Sequence, residues 1–191
     1  MKVIFLDHDG VICLSSNWGG RTKKWAQYRS ANPESSVLLK DAPVSVRFDD
    51  FDTKSIKILN EILEETGAEI VVSSDWKLHA NLEELGDYYE SQGIIKKPIA
   101  ITPNLKDFEP ESSSLFNFKG WLERARCLEI QRWLLENNVD SWVAVDDLDM
   151  SNEFLKPGLE NFVLTPRSRE GIKQSGIKDK ILKFLVDEKT I

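Results

Sequence analysis

The stretch that decides the fold is MKVIFLDHDGV, residues 1–11. Val3 to Leu6 is a short apolar run, β-branched and aromatic, and reads as a buried strand. It ends in Asp7 and Asp9, which flank His8 and are followed by Gly10. A carboxylate has little reason to follow a buried strand unless something there needs it. If the strand is central in a parallel sheet, both aspartates emerge at its carboxyl end, where open α/β sheets bind ligands. Alternation along an extended chain sends both side chains the same way and His8 the other. Two like charges that close are stable only when a cation neutralises them or one holds a proton. Gly10 permits a turn that other residues resist and lets the backbone approach a bound group. Read alone, the same Asp-Gly pair is also an ordinary turn signal.

Similar runs recur along the chain at Ile70 to Ser73, Ile99 to Ile101, Trp142 to Val145 and Phe162 to Leu164. Helical patterns fall between them. From Thr53 to Thr66, Ile56, Leu59, Ile62 and Leu63 share one face, with Thr53 as N-cap and Gly67 as the stop. Further helices are expected from about Leu78 to Ser91, with Leu82, Leu85 and Tyr89 inward, and from about Arg126 to Asn137, with Ile130, Trp133 and Leu134 inward. A last one runs from about Lys178 to Asp187 on Ile181, Leu182 and Leu185. Strands alternating with helices predict an α/β fold, a doubly wound, Rossmann-like and mainly parallel sheet of about five strands covered on both faces. Residues 1–191 read as a single domain. Residues 13–52 break the rhythm: they carry glycines, prolines and two tryptophans without a period, and are too long for an ordinary loop. They read either as a cap or lid inserted after the first strand or as a peripheral subdomain that only packs.

Composition narrows the function classes. The formal charge of −7, from 32 acidic and 25 basic residues, gives no overall pull toward nucleic-acid backbones or anionic membranes. Cys13 and Cys127 lack metal-ligand or redox spacing, so a reducing, cytoplasmic setting fits best. The Val3 to Leu6 run is far too short for a signal peptide or a spanning helix, and no membrane association is expected. No protein partner is evident.

Two other strand ends turn a turn signal into a site. VAVDDLDM, residues 143–150, places Asp146 and Asp147 after an apolar strand, and in a parallel sheet Asp7, Asp9 and Asp146 could converge on one ion. Carboxylates without nearby nitrogen or sulfur donors favour a hard cation, and Mg²⁺ suits a site that also takes water and a substrate phosphate. EIVVSSDWK, residues 69–77, places the hydroxyls of Ser73 and Ser74 where they can bond a phosphoryl oxygen.

The order of these motifs resembles the haloacid dehalogenase (HAD) superfamily. That family has a DxDG motif after its first strand, a Ser or Thr after the second, a Lys or Arg ahead of the fourth, and paired acidic residues after it. The stretches FDDFDTKSIKILNEILEETGAEIVVSSDWK and RCLEIQRWLLENNVDSWVAVDDLDM look like the small HAD domains grouped with Swiss army knife RNA-repair proteins. Phosphatase modules of polynucleotide kinase-phosphatases are related. The resemblance implies that Asp7 is a nucleophile that forms an aspartyl-phosphate and that Asp9 is general acid and then general base. It favours Ser74 over Ser73 for phosphate binding. It makes Arg126 the basic residue, with Lys119 as the alternative. It implies Mg²⁺ held by Asp7, Asp9 (through its backbone carbonyl), Asp146 and Asp147.

The expected activity is therefore Mg²⁺-dependent hydrolysis of a phosphomonoester. The expected substrate is a phosphorylated small molecule or nucleotide, with an RNA or DNA end among the candidates. Arg21, Lys23 and Lys24, with Trp18 and Trp25 nearby, could supply charge and stacking faces to it, or form only a solvated rim. Dehalogenation is disfavoured, because enzymes of that type normally lack the second aspartate. The alternative is a HAD-fold binding or partner protein with little or no turnover.

Overall fold

A computed structural model describes residues 1–105, 121–153 and 160–186. The sheet has five strands: β1 (Lys2–Leu6), β2 (Glu69–Val72), β3 (Ala100–Ile101), β4 (Ser141–Asp146) and β5 (Phe162–Leu164). Their order is β3-β2-β1-β4-β5, and every neighbouring pair is parallel. Each of the five expected strands is present, and β1 is central. The chain winds one way from β1 to β3 and the other way from β4 to β5, so the order reverses between β1 and β4. Crevices open at such reversals. Leu6 pairs with Val72 on one side and Val145 on the other, so three strands end level with one another. The ladder continues one step further, with Asp7 N donating to Val145 O at 3.1 Å and Ser73 N to Leu6 O at 2.9 Å.

Six helices accompany the sheet in the described residues: α1 (Gly20–Ala31), α2 (Val44–Arg47), α3 (Thr53–Thr66), α4 (Leu82–Ser91), α5 (Trp121–Glu136) and α6 (Ile177–Leu185). β1 shows the pleat at work. Ile4 and Leu6 enter a core with Leu59, Leu63, Leu85 and Ile181, from α3, α4 and α6. Val3 and Phe5 face the other way, onto Cys127, Ile130 and Trp133 of α5. Phe5 meets Trp133 edge-on at 5.4 Å.

Three helix starts differ from the sequence reading. The N-cap of α3 is Asp52, not Thr53: its carboxylate accepts from Ser55 N at 2.9 Å, and an ionised acceptor at a helix start also favours the helix dipole. The helix expected from Leu78 begins at Leu82, because Asn81 and Glu84 form a capping box there and residues Asp75–Leu78 are taken up by a 3₁₀ turn. The helix expected from Arg126 begins at Trp121, which puts Arg126 in its second turn.

Residues 13–52 contain α1, which none of the apolar periods announced because none of its residues is buried. The segment is nevertheless fastened down. Phe48 and Phe51 enter the core, the Arg47 guanidinium pairs with Glu84 of α4, and Tyr88 Oη donates to Asp49 O at 2.8 Å. Among the described residues no helix is long and apolar enough to cross a membrane.

Candidate active site

Because β1, β2 and β4 end level, their next residues form one rim. Past β1 the chain turns sharply: His8 O accepts from Val11 N at 3.1 Å, Ile12 N at 3.0 Å and Cys13 N at 2.7 Å. Gly10 completes the turn with φ 72°, and a Cβ on it would lie 2.0 Å from Asp147 Oδ2. Gly10 is thus required twice, once by the backbone and once by the carboxylate against it.

Asp7, Asp146 and Asp147 converge. One carboxylate oxygen of each lies within 4.8 Å of the others. Asp7 and Asp146 are buried, at 6% and 2% exposure. Burial lifts the Asp7 carboxyl to about 6, against the opposing pull of Arg126 and a hydrogen bond from Ser74. Burial, then the neighbouring Asp7, pushes Asp146 well above the usual carboxylate range. Asp147 is raised too, by burial and by Asp9.

Arg126 crosses all three strand ends from α5. Its Nη1 donates to Asp146 Oδ2 at 2.9 Å, to Asp7 Oδ1 at 3.2 Å and to the Ser73 carbonyl, while Nη2 donates to Asp75 Oδ1 at 2.8 Å. Burial alone would weaken its charge, but Asp7, Asp146 and Asp75 more than offset this and hold the guanidinium protonated. One guanidinium against three carboxylates leaves the cluster anionic. An all-oxygen donor set with surplus negative charge and no nitrogen or sulfur ligand fits a hard divalent cation.

The sequence-derived residues fall as follows. Asp7, Asp9, Ser74, Arg126 and Asp146 line one cavity of about 380 Å³, together with Asp147. The Asp9 carboxylate stands apart from the aspartate trio and accepts from Trp76 Nε1 at 2.9 Å. Ser73 does not line the cavity: it contributes its carbonyl to Arg126, and its hydroxyl is buried without a partner. Lys119 lies outside the described residues. His8 points away from the cavity, with Nε2 2.6 Å from Tyr89 Oη, and burial lowers its pKa to about 3.

The sequence reading missed Trp76 and Lys77. Lys77 lines the cavity, pairs with Glu129 of α5 and donates to Thr102 Oγ1 at 2.9 Å. Burial lowers its pKa, and Glu129 partly restores it. Both residues lie in the SSDWK quoted above. A signal existed there, since a lysine and a tryptophan one turn beyond a strand end stand beside whatever that end presents.

A family model for the HAD domain in Swiss Army Knife RNA repair proteins matches residues 3–176. The chain belongs to that family. No curated protein and no solved structure matches it significantly. The matched span runs from the second residue of β1 to the residue before α6, so it takes in the sheet, residues 13–52 and every residue of the cavity named above. The family points to a hydrolase and typically uses a metal, and the Asp7, Asp146 and Asp147 trio offers a place for one.

Proposed function

We propose that this HAD domain is a Mg²⁺-dependent phosphomonoesterase that works through an aspartyl-phosphate on Asp7. The observation that carries the reading is the buried Asp7 carboxylate in a trio of aspartates beside Arg126. An Asp7 oxygen attacks phosphorus, the bond from phosphorus to the leaving oxygen breaks, and Asp9 gives that oxygen its proton. Asp9 then takes a proton from water as the water oxygen attacks the aspartyl-phosphate, which releases orthophosphate and frees Asp7. Mg²⁺ held by Asp7, Asp146 and Asp147 would offset the repulsion between the Asp7 carboxylate and the phosphoryl oxygens. Ser74 and Arg126 hold those oxygens, where positioning and charge neutralisation supply most of the catalysis. Trp76 fixes the direction of the Asp9 carboxylate through their 2.9 Å hydrogen bond. Residues 13–52 are read as a cover on the Asp9 side of the site. Cys13 and Cys127, both buried and not joined in a disulfide, fit a cytoplasmic protein.

The test is hydrolysis of p-nitrophenyl phosphate with and without Mg²⁺. Activity should require the metal and vanish in Asp7→Asn. Robust turnover by a purified Asp7→Asn protein would overturn the nucleophile. Mg²⁺ binding without turnover on a broad panel of phosphoesters would favour a binding protein instead.

A further inference from the structure

A second cavity of about 380 Å³ opens on the other side of Asp9. It is lined by Trp18, Arg21, Thr22 and Asp49 of residues 13–52 and by Trp76, and it shares Asp9 with the cavity of the aspartate trio. The group read as the proton donor therefore stands at the junction of two chambers. A leaving oxygen must sit at that junction, with phosphorus on the Asp7 side. The rest of the leaving group then extends away from Asp7.

The far chamber is built rather than incidental. The buried Asp49 carboxylate accepts from Gly19 N at 3.2 Å and Arg21 N at 2.6 Å, which fixes the corner at the start of α1. Trp18 Nε1 donates to Cys13 O at 3.3 Å, and Asn17 Nδ2 donates to Asp50 O at 3.0 Å. Both bonds tie the corner to its surroundings at either side. Trp18 is thus held by its polar edge while it stays 49% exposed, and no ring of the described residues stacks on it. The Arg21 guanidinium is exposed and makes no ion pair among the described residues. By contrast Lys24 is spent on Asp50 at 2.5 Å, and Trp25 is stacked on Tyr28 with Arg29 over its ring. Of the basic and aromatic residues of this segment named in the sequence reading, Trp18 and Arg21 are the ones that face the chamber.

An open indole face beside an unspent guanidinium suits a flat, electron-rich ring that carries an anion. Resting on the phosphatase reading, we propose that this chamber binds the leaving group as a nucleoside with a second phosphate, its base stacked on Trp18 and that phosphate paired with Arg21.

The experiment compares kcat/KM of the full chain, with Mg²⁺, on adenosine 3′,5′-bisphosphate, a short 3′-phosphorylated oligonucleotide, adenosine monophosphate and glycerol phosphate. Trp18→Ala should lower the preference for each nucleotide over glycerol phosphate by about tenfold or more, and Trp18→Phe should keep most of it. Arg21→Ala should cut the bisphosphate and the oligonucleotide more than the monophosphate. A higher kcat/KM for the oligonucleotide assigns the site to a nucleic-acid end, and a higher value for the bisphosphate assigns it to a free nucleotide. Either supports the chamber. Equal loss on all four substrates, or no loss, overturns it. Binding keeps the test separate from turnover: calorimetry of adenosine 3′,5′-bisphosphate on Asp7→Asn, with and without Trp18→Ala, should show about tenfold weaker affinity in the double variant. Equal affinities there overturn the chamber whether or not the protein hydrolyses any ester. Failure of the wild type to hydrolyse any ester, together with that loss of affinity, overturns the phosphatase and leaves the chamber standing.

Discussion

At the scale of single residues, Gly10 carries the sharpest constraint. A methyl group there would meet Asp147 Oδ2 at 2.0 Å and would have to adopt φ 72°. Gly10→Ala should cost about 1–3 kcal/mol of stability in urea unfolding. Calorimetry should also show weaker Mg²⁺ binding, because Asp147 is the group displaced. Gly171 supports the same turn from behind, since a Cβ there would lie 2.1 Å from Val11 O. The DxDG motif was legible because strand, turn and charge coincide in four residues. Lys77 was not, because one buried lysine makes no pattern, and what brings it to the site is a 3₁₀ turn and a partner on α5, Glu129, far along the chain. The choice between Ser73 and Ser74 likewise turns on which hydroxyl faces the cavity, something that neighbouring residues of the same type do not reveal.

At the scale of elements, the strands were legible because each is a short apolar run, and α3 because its buried residues repeat with the helix period. α1 was hidden because GRTKKWAQYRSA buries no face, so no apolar repeat exists to be read. The ends of helices were the weak point. Caps depend on which polar side chain finds an amide, as Asp52 and Asn81 do. Asp52 offers a test of this. The Ser55 amide, Lys173 and the Ser55 hydroxyl together outweigh partial burial and hold its carboxyl below the usual range. A depressed carboxyl stabilises the fold above its unfolded pKa and loses that contribution as pH falls through the folded one. Asp52→Ala should therefore cost about 1 kcal/mol near neutral pH. The gap between variant and wild type should narrow toward about pH 3, when unfolding is followed by circular dichroism. In α5, Trp133→Ala removes the ring that meets Phe5 and should cost about 3–5 kcal/mol, read in the same way.

At the scale of the whole molecule, a parallel sheet with a reversal between β1 and β4 gathers three anionic groups at one rim. Arg126 offsets part of their mutual repulsion through its bonds to Asp7 and Asp146, while burial raises the pKa values of both carboxyls. A divalent ion that binds only the folded state should add stability by mass action, about 2.7 kcal/mol at a hundredfold excess over its dissociation constant. For a chain of this size that is a rise in Tm of roughly 5–10 °C. Scanning calorimetry with Mg²⁺ should show it, and Asp146→Asn should abolish it. A rise of equal size in Asp146→Asn would place the ion elsewhere.

The indole of Trp76 lies against Phe48 at 4.2 Å and Phe51 at 5.4 Å, both from the end of the insertion, while its Nε1 holds Asp9. On the proposed roles, the segment that would choose the substrate therefore also steadies the group that would donate the proton. A graft that exchanged residues 13–52 for a foreign loop, to change what the protein accepts, would slacken the proton donor unless the two phenylalanines travelled with it. On the proposed roles, selectivity and proton delivery would share one aromatic joint and would be inherited together.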